Sequence, residues 1–391
     1  MNFENVLNST YTLVSLIVLV LSFVVLCLYY GLVWLRVGRY KRDVVTRRKR
    51  TSAEKVPPST ALPSVSVVMV VHNEAEYLKK SIPYLLEQDY PDYEVVVVDY
   101  KSTDETHFVL HVCSENYPQL KAINFHQDVN MFQGKKYPLS IGIKSATKDV
   151  ILLTEAECTP RSFNWISRMM QGYCDGGQIV MGYNLVKPDG TLLGAFQQYE
   201  NMTYNASYIG ATIMGNPFTA TGRNLSYRRD FFFSRGGFIS HYSIPDGADD
   251  LFVNQNADSR NSALVLDIDA SVVSEPRSSF ALWHQDRAHR LCTRRYYGIK
   301  DRALLSVYPL SQILFVVALV LLFVDGVIPW QLLTGVLLLK FIWQIVCMIP
   351  LAKRFEIKRV HFFSPFFEFY FLIANTFLTF FALRRKKRQW R

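Results

Sequence analysis

The 391-residue sequence lacks any paired-cysteine spacing of the kind that holds zinc or an iron–sulfur cluster. Its six cysteines, Cys27, Cys113, Cys158, Cys174, Cys292 and Cys347, are scattered, and two fall in long apolar runs; reduced thiols on the cytoplasmic side are expected. Internal repeats and low-complexity tracts are also missing. So is a distributed basic surface. The formal charge is +10, but Arg36–Arg50 contributes a net seven positive charges and the last eight residues six, leaving the remainder at −3. The basicity therefore flanks apolar segments rather than forming a nucleic-acid footprint, and no nucleic-acid partner is expected. Asn201, Asn205 and Asn224 match glycosylation acceptors, but in a cytoplasmic domain they would never meet the machinery that modifies them.

What the chain has in excess is apolar sequence, half of all residues. Tyr11 to Leu35 is almost wholly apolar and long enough to cross a hydrocarbon core of about 30 Å. It exceeds a signal-peptide core, and no small-residue cleavage site ends it. The basic run that follows places the next segment in the cytoplasm by the positive-inside rule, and such a stretch can also touch anionic lipid. Three more apolar segments lie at 303–324, 327–351 and 362–383, before the basic tail. Three crossings would put that tail outside. One segment is therefore expected not to cross, and 362–383, dense in Phe and holding Pro365 and Glu368, reads as re-entrant or interfacial.

Between these segments, Ser64 to Val71 is a short β-branched run, followed by helical spacing at Tyr77, Ile82, Leu85 and Leu86 and a second apolar run at Val95 to Asp99. Continuous apolar strands around an amphipathic helix predict a βαβ unit and a parallel sheet covered on both faces. Ligands of such sheets bind at the carboxyl ends of the strands. Asn73 and Glu74 close the first strand, Asp99 the second, and Glu155 and Glu157 a later one. Asp99 alone is equally well read as a turn cap. The two glutamates read as a metal clamp or as acids straddling solvent and sheet edge.

The stretch "SVVMVVHNEAEYLKKSIPYLLEQDYPDYEVVVVDYKSTDET", with "GKKYPLSIGIKSATKDVILLTEAECTP", "GRNLSYRRDFFFSRGGF" and "DGADDLFVNQNADSRNSALVLDIDASVVSEPRSSFALWHQDRAHRLCTRRYY", resembles the membrane-bound family-2 inverting glycosyltransferases of bacterial type. The resemblance covers about Val65 to Tyr297. It implies an α/β GT-A fold, mostly parallel, with helices on both faces and membrane helices at both ends. It implies transfer of a sugar, with inversion, from a UDP- or GDP-sugar to a lipid-linked or glycan acceptor at the cytoplasmic membrane face. The implied setting is polysaccharide or glycolipid synthesis in the cell envelope, in a multi-pass protein of the inner (plasma) membrane, with other envelope-biosynthesis proteins as partners. The corresponding organisation is an anchor over 1–35, a basic linker over 36–60, a catalytic-type domain over 61–275, an interfacial segment over 276–302, membrane helices over 303–383 and a tail over 384–391.

Residue by residue, the resemblance assigns Glu157 and Glu155 to a divalent metal, Mg²⁺ or Mn²⁺, that would neutralise the diphosphate leaving group. Glu74, Asp99, Lys135, Lys136, Glu155 and Arg223 fall where the family holds its donor. For the two lysines a solvated turn is an equal reading. Trp283, Gln285, Arg287 and His289, in "WHQDRAH", fall at the acceptor and membrane interface. Inversion needs a base for the acceptor hydroxyl, and the matching stretch is "PDGADDLF". Where relatives carry the first Asp this chain has Ala248, leaving Asp249 and Asp250 as catalytic candidates or as caps of the next helix. Tyr100 in place of a second acid, Glu-Ala-Glu in place of Asp-Ala-Asp and Ala288 in place of Arg are further departures. Together they keep open a second expectation, a glycosyltransferase-like pseudoenzyme serving as a membrane scaffold or regulatory partner.

Overall fold

The computed structural model describes residues 10–45, 62–125, 134–174 and 176–384. The central strands form because their residues are β-branched and apolar on both sides. β2 (Val65–Val71), β3 (Tyr93–Tyr100), β4 (Leu120–Phe125) and β5 (Val150–Leu153) are parallel, with Val71 opposite Asp99 at the carboxyl edge. Alternate residues of β2 enter two different cores: Val65, Val67 and Met69 on one face, Val68 and Val70 on the other. The predicted three-layer arrangement is therefore present.

Helices α2 (Ala75–Leu86) and α3 (Thr106–Asn116) cover the first face, burying Leu78, Ile82, Leu85 and Leu110 at helical spacing. Helix α4 (Lys136–Ser145) covers the other face, and a Cβ at Gly142 would lie 2.8 Å from Val68 and 3.0 Å from Val98, so this contact requires glycine. The sheet continues through β9 (Leu225–Arg228), antiparallel to β5 and β7 (Ile179–Met181), and β10 (Ser262–Val265) to the two-residue β1 (Val44–Val45). A second sheet of three strands, β6 (Cys158–Pro160), β11 (Val272–Ser274) and β8 (Asn184–Val186), begins one residue after Glu157.

Among the described residues, three helices are long and apolar enough to cross a membrane: α1 (Thr10–Arg39), α10 (Ile299–Asp325) and α11 (Trp330–Arg354). The helix α12 (Ser364–Arg384) is not one of them. Thr12 at the start of α1 hydrogen-bonds Asp325 at the end of α10 (2.6 Å), while Tyr29 stacks on Tyr308 (4.2 Å between ring centres), so the two helices run antiparallel. α1 contains one π-helical turn, Tyr30–Leu35. Helix α6 (Leu192–Ile213) crosses it there: a Cβ at Gly210 would meet Val33 at 3.0 Å. Most of the basic linker (46–61) and the tail beyond 384 lie outside the described residues.

Candidate active site

The turn after β2 is fastened to the turn after β3. Asn73, in the left-handed conformation (φ 55°), accepts the Thr103 amide (2.7 Å), and its own amide donates to Ser102 Oγ (2.9 Å). Asp99 accepts the Ser102 amide at 3.3 Å and is buried, which is the turn-capping role. Glu74 is half-buried, and desolvation pushes its pKa up to about 7, only partly offset by the charge of Lys135.

The decisive geometry surrounds the two glutamates after β5. Lys135 Nζ donates to Glu155 Oε1 (2.8 Å), and Arg223 Nε to Glu155 Oε2 (3.0 Å). Arg223 Nη2 donates to Glu157 Oε1, and Arg277 Nη1 pairs with Glu157 Oε2 (2.7 Å). All four carboxylate oxygens thus face a cation. Burial would raise the pKa of Glu155, but Lys135 and Arg223 outweigh it and hold the group well below the usual carboxylate range.

Local folding explains how the arginines arrive. Arg223 sits on the turn entering β9, and its neighbour Asn224 anchors that turn by accepting from Trp165 Nε1 (3.1 Å) and donating to the carbonyls of Tyr183 (3.0 Å) and Ala270 (2.8 Å). Arg277 follows β11, whose pairing with β6 is prolonged by the Glu275 amide donating to the Glu157 carbonyl (3.1 Å). Arg277 also holds Asp286 (2.6 Å).

Glu155 and Glu157, expected to clamp Mg²⁺ or Mn²⁺, are each paired with cations in this structure. No group of three or more His, Cys, Asp or Glu side chains converges as a metal site among the described residues. A divalent ion on Glu155 and Glu157 would have to displace guanidinium or ammonium partners from every oxygen it used. The residues present do not fit a divalent ion.

The base candidates separate. Asp249 Oδ2 accepts the Gly222 amide (2.6 Å) and the side chain lines the central cavity. Asp250 is 8% exposed; Thr293 Oγ1 and Tyr297 Oη (2.8 Å) both donate to its Oδ2. Burial and the neighbouring Asp249 charge push its pKa up to about 6. Asp250, which also lines the cavity, fastens helix α8 (Asp250–Asn256) to the end of helix α9 (Phe280–Thr293). The ammonium of Lys136 is buried and donates to the carbonyls of His241 (2.7 Å), Ile244 (2.8 Å) and Asp246 (2.7 Å), which shapes the loop leading to Asp249.

On α9, Trp283 Nε1 donates to Glu200 (2.8 Å), and Arg287 lies over the rings of Trp283 (4.8 Å) and Phe371 (4.6 Å) while pairing with Glu200 (3.1 Å). His289 Nδ1 donates to Asp246 Oδ2 (2.9 Å). Trp283, Gln285, Arg287 and His289 all line one cavity of about 1020 Å³ that also takes in Glu74, Lys135, Glu155, Glu157, Arg223, Arg277 and Asp249. Its far end runs between Val25, Leu28 and Leu32 of α1 and Leu304, Leu305 and Val307 of α10. Arg277 and Asp246 escaped the sequence reading. The only signal for Arg277 was a basic residue just past a strand end.

Residues 66–233 match the family described as glycosyl transferase family 2. That match spans 168 of the 391 residues and supports a glycosyltransferase enzyme. Its fold is GT-A: a mannosyltransferase from Pyrobaculum calidifontis, solved in complex with GDP-Man and Mn²⁺, superposes with a TM-score of 0.59 at 18% identity, over 94% of this chain and 97% of that one. The glycosyltransferase AglE of Haloferax volcanii is 27% identical over 188 residues, 47% of this chain. The chain spans 58% of that relative's length. The beta-monoglucosyldiacylglycerol synthase of a Synechocystis species is 28% identical over 147 residues, 34% of this chain and 30% of the synthase.

Proposed function

We propose that the protein transfers a sugar, with inversion, from a UDP- or GDP-sugar to the hydroxyl of a lipid-linked acceptor at the cytoplasmic face of the membrane, in envelope glycolipid or polysaccharide synthesis. One observation carries this reading. A single cavity joins the charged cluster at the carboxyl edge of the parallel sheet to the apolar cleft between α1 and α10. A water-soluble donor suits the first end, and an acyl or prenyl chain suits the second, since its burial there removes apolar surface from water. The similar mannosyltransferase with its GDP-Man and the diacylglycerol-linked product in the name of the Synechocystis relative agree with those two ends.

In this reading the acceptor oxygen bonds to the anomeric carbon as the bond from that carbon to the diphosphate breaks, and the hydroxyl proton passes to Asp249. That carboxylate lines the cavity with one oxygen held by the Gly222 amide, which fixes its orientation. Asp249 then replaces the acid that Ala248 lacks. Full-length protein in lipid nanodiscs, supplied with UDP- and GDP-sugars and a membrane lipid extract, should release nucleotide only when lipid is present. Equal release by the wild type and Asp249→Asn would sink this assignment.

The pseudoenzyme reading has its own observation, Ala248 at the base position beside a carboxylate pair already neutralised. Absence of release with every sugar nucleotide, together with co-purification of an active transferase, would favour it.

A further inference from the structure

Three cations surround the two glutamates at the sheet edge. Lys135, Arg223 and Arg277 face Glu155 and Glu157, and the outer partner of Arg277, Asp286, is 38% exposed. The ion pairs occupy Nε and Nη2 of Arg223 and Nε and Nη1 of Arg277. A guanidinium has five N–H donors in a rigid fork suited to phosphate, and an ammonium has three. Each of these side chains therefore keeps donors beyond those its carboxylate uses, and all three line the cavity.

Resting on the nucleotide-sugar reading above, we infer that this site binds and neutralises the donor diphosphate with Lys135, Arg223 and Arg277, without a divalent cation. Glu155 and Glu157 are positioning residues that hold the cations at the sheet edge. Asp has one methylene less than Glu, so the Glu-Ala-Glu sequence lets each carboxylate reach a guanidinium turn that a shorter side chain would leave at a greater distance. As the bond to the anomeric carbon breaks, the electron pair goes to the diphosphate oxygen, where fixed cations in a partly buried site stabilise it. No redox partner or co-reactant is needed.

The test is binding of UDP and of GDP to the full-length, detergent-purified protein, by thermal shift and calorimetry, in EDTA and in excess Mn²⁺ or Mg²⁺. The expected result is an affinity in EDTA within about twofold of that with metal, weakened roughly ten- to a hundredfold in Arg277→Gln, the span of one lost charge-assisted hydrogen bond. Lys135→Gln provides the same comparison if Arg277→Gln does not fold. Binding that appears only with Mn²⁺ or Mg²⁺ overturns the inference and leaves the nucleotide-sugar reading standing. Absence of binding by either nucleotide under both conditions overturns the reading and the inference together.

Discussion

Asp249 lies against Gly222: its Oδ2 accepts the Gly222 amide at 2.6 Å, and a Cβ on Gly222 would come within 3.0 Å of the same oxygen. The acid that follows Ala248 is thus tied to the residue preceding Arg223. Asp249→Asn keeps the shape and removes the base, so turnover should fall by roughly 10²- to 10⁴-fold while nucleotide binding persists. Gly222→Ala should lower turnover by displacing the carboxylate. A steady-state assay beside a nucleotide thermal shift checks both, and a loss of binding in Asp249→Asn would show that the residue holds the donor instead.

Arg223 bridges Glu155 and Glu157, both partly or fully buried. Removing one partner of a buried ion pair leaves uncompensated charge and costs about 3–5 kcal/mol. Arg223 is itself about a quarter exposed, so Arg223→Ala should fall at or below the lower end of that range. Arg223→Lys cannot reproduce the two-pronged contact and should recover only part of the loss. Thermal denaturation of the three proteins in one detergent measures the order, and equal melting temperatures would refute it.

The strands, the helix spacing and the placement of Glu155 and Glu157 at the sheet edge were legible in the sequence, because continuous β-branched runs and an amphipathic helix leave few alternatives. What the glutamates touch was not legible. Their arginine partners come from 66 and more residues away, delivered by the Asn224 anchor and by the pairing of β11 with β6. The Asp249–Asp250 pair shows the same limit. Adjacent identical side chains take different partners once α8 starts, one the Gly222 amide and the other the hydroxyls of Thr293 and Tyr297. Spacing along the chain cannot tell them apart. Phe362–Leu383 read as re-entrant or interfacial; the structure makes Ser364–Arg384 one helix and turns Glu368 into the bundle, a contact no periodicity shows.

That contact yields a prediction. Glu368 is 5% exposed and accepts from Tyr30 (2.5 Å), Tyr308 (2.5 Å), Gln312 (2.6 Å) and Lys340. A charge pair among apolar helices holds α1, α10, α11 and α12 in one register. Glu368→Ala should destabilise by about 3–5 kcal/mol because Lys340 is left unpaired. Glu368→Leu with Lys340→Met should recover much of that. A melting temperature for the double variant no higher than for the single one would show that the network, not the stranded ammonium, sets stability.

Glu74 gives a pH dependence with a definite sign. Burial raises its pKa from the ordinary 4.5 to about 7. Between those two values the folded protein holds a proton that the unfolded chain has released, so this residue makes stability fall as pH rises from about 4.5 to about 7. Below 4.5 both states are protonated, and above 7 both are ionised, so its contribution levels off on either side. A diphosphate arriving in the same cavity adds negative charge and favours the protonated form further. Donor binding should therefore take up a proton and weaken as pH rises through 7. Glu74→Gln removes the titrating group and should flatten both the melting temperature over this window and the pH dependence of UDP or GDP affinity. Calorimetry in two buffers of different ionisation enthalpy counts the proton directly: uptake in the wild type that vanishes in Glu74→Gln assigns it to this carboxyl, whereas unchanged uptake places it elsewhere, with Asp250, whose pKa is also raised, the next group to substitute.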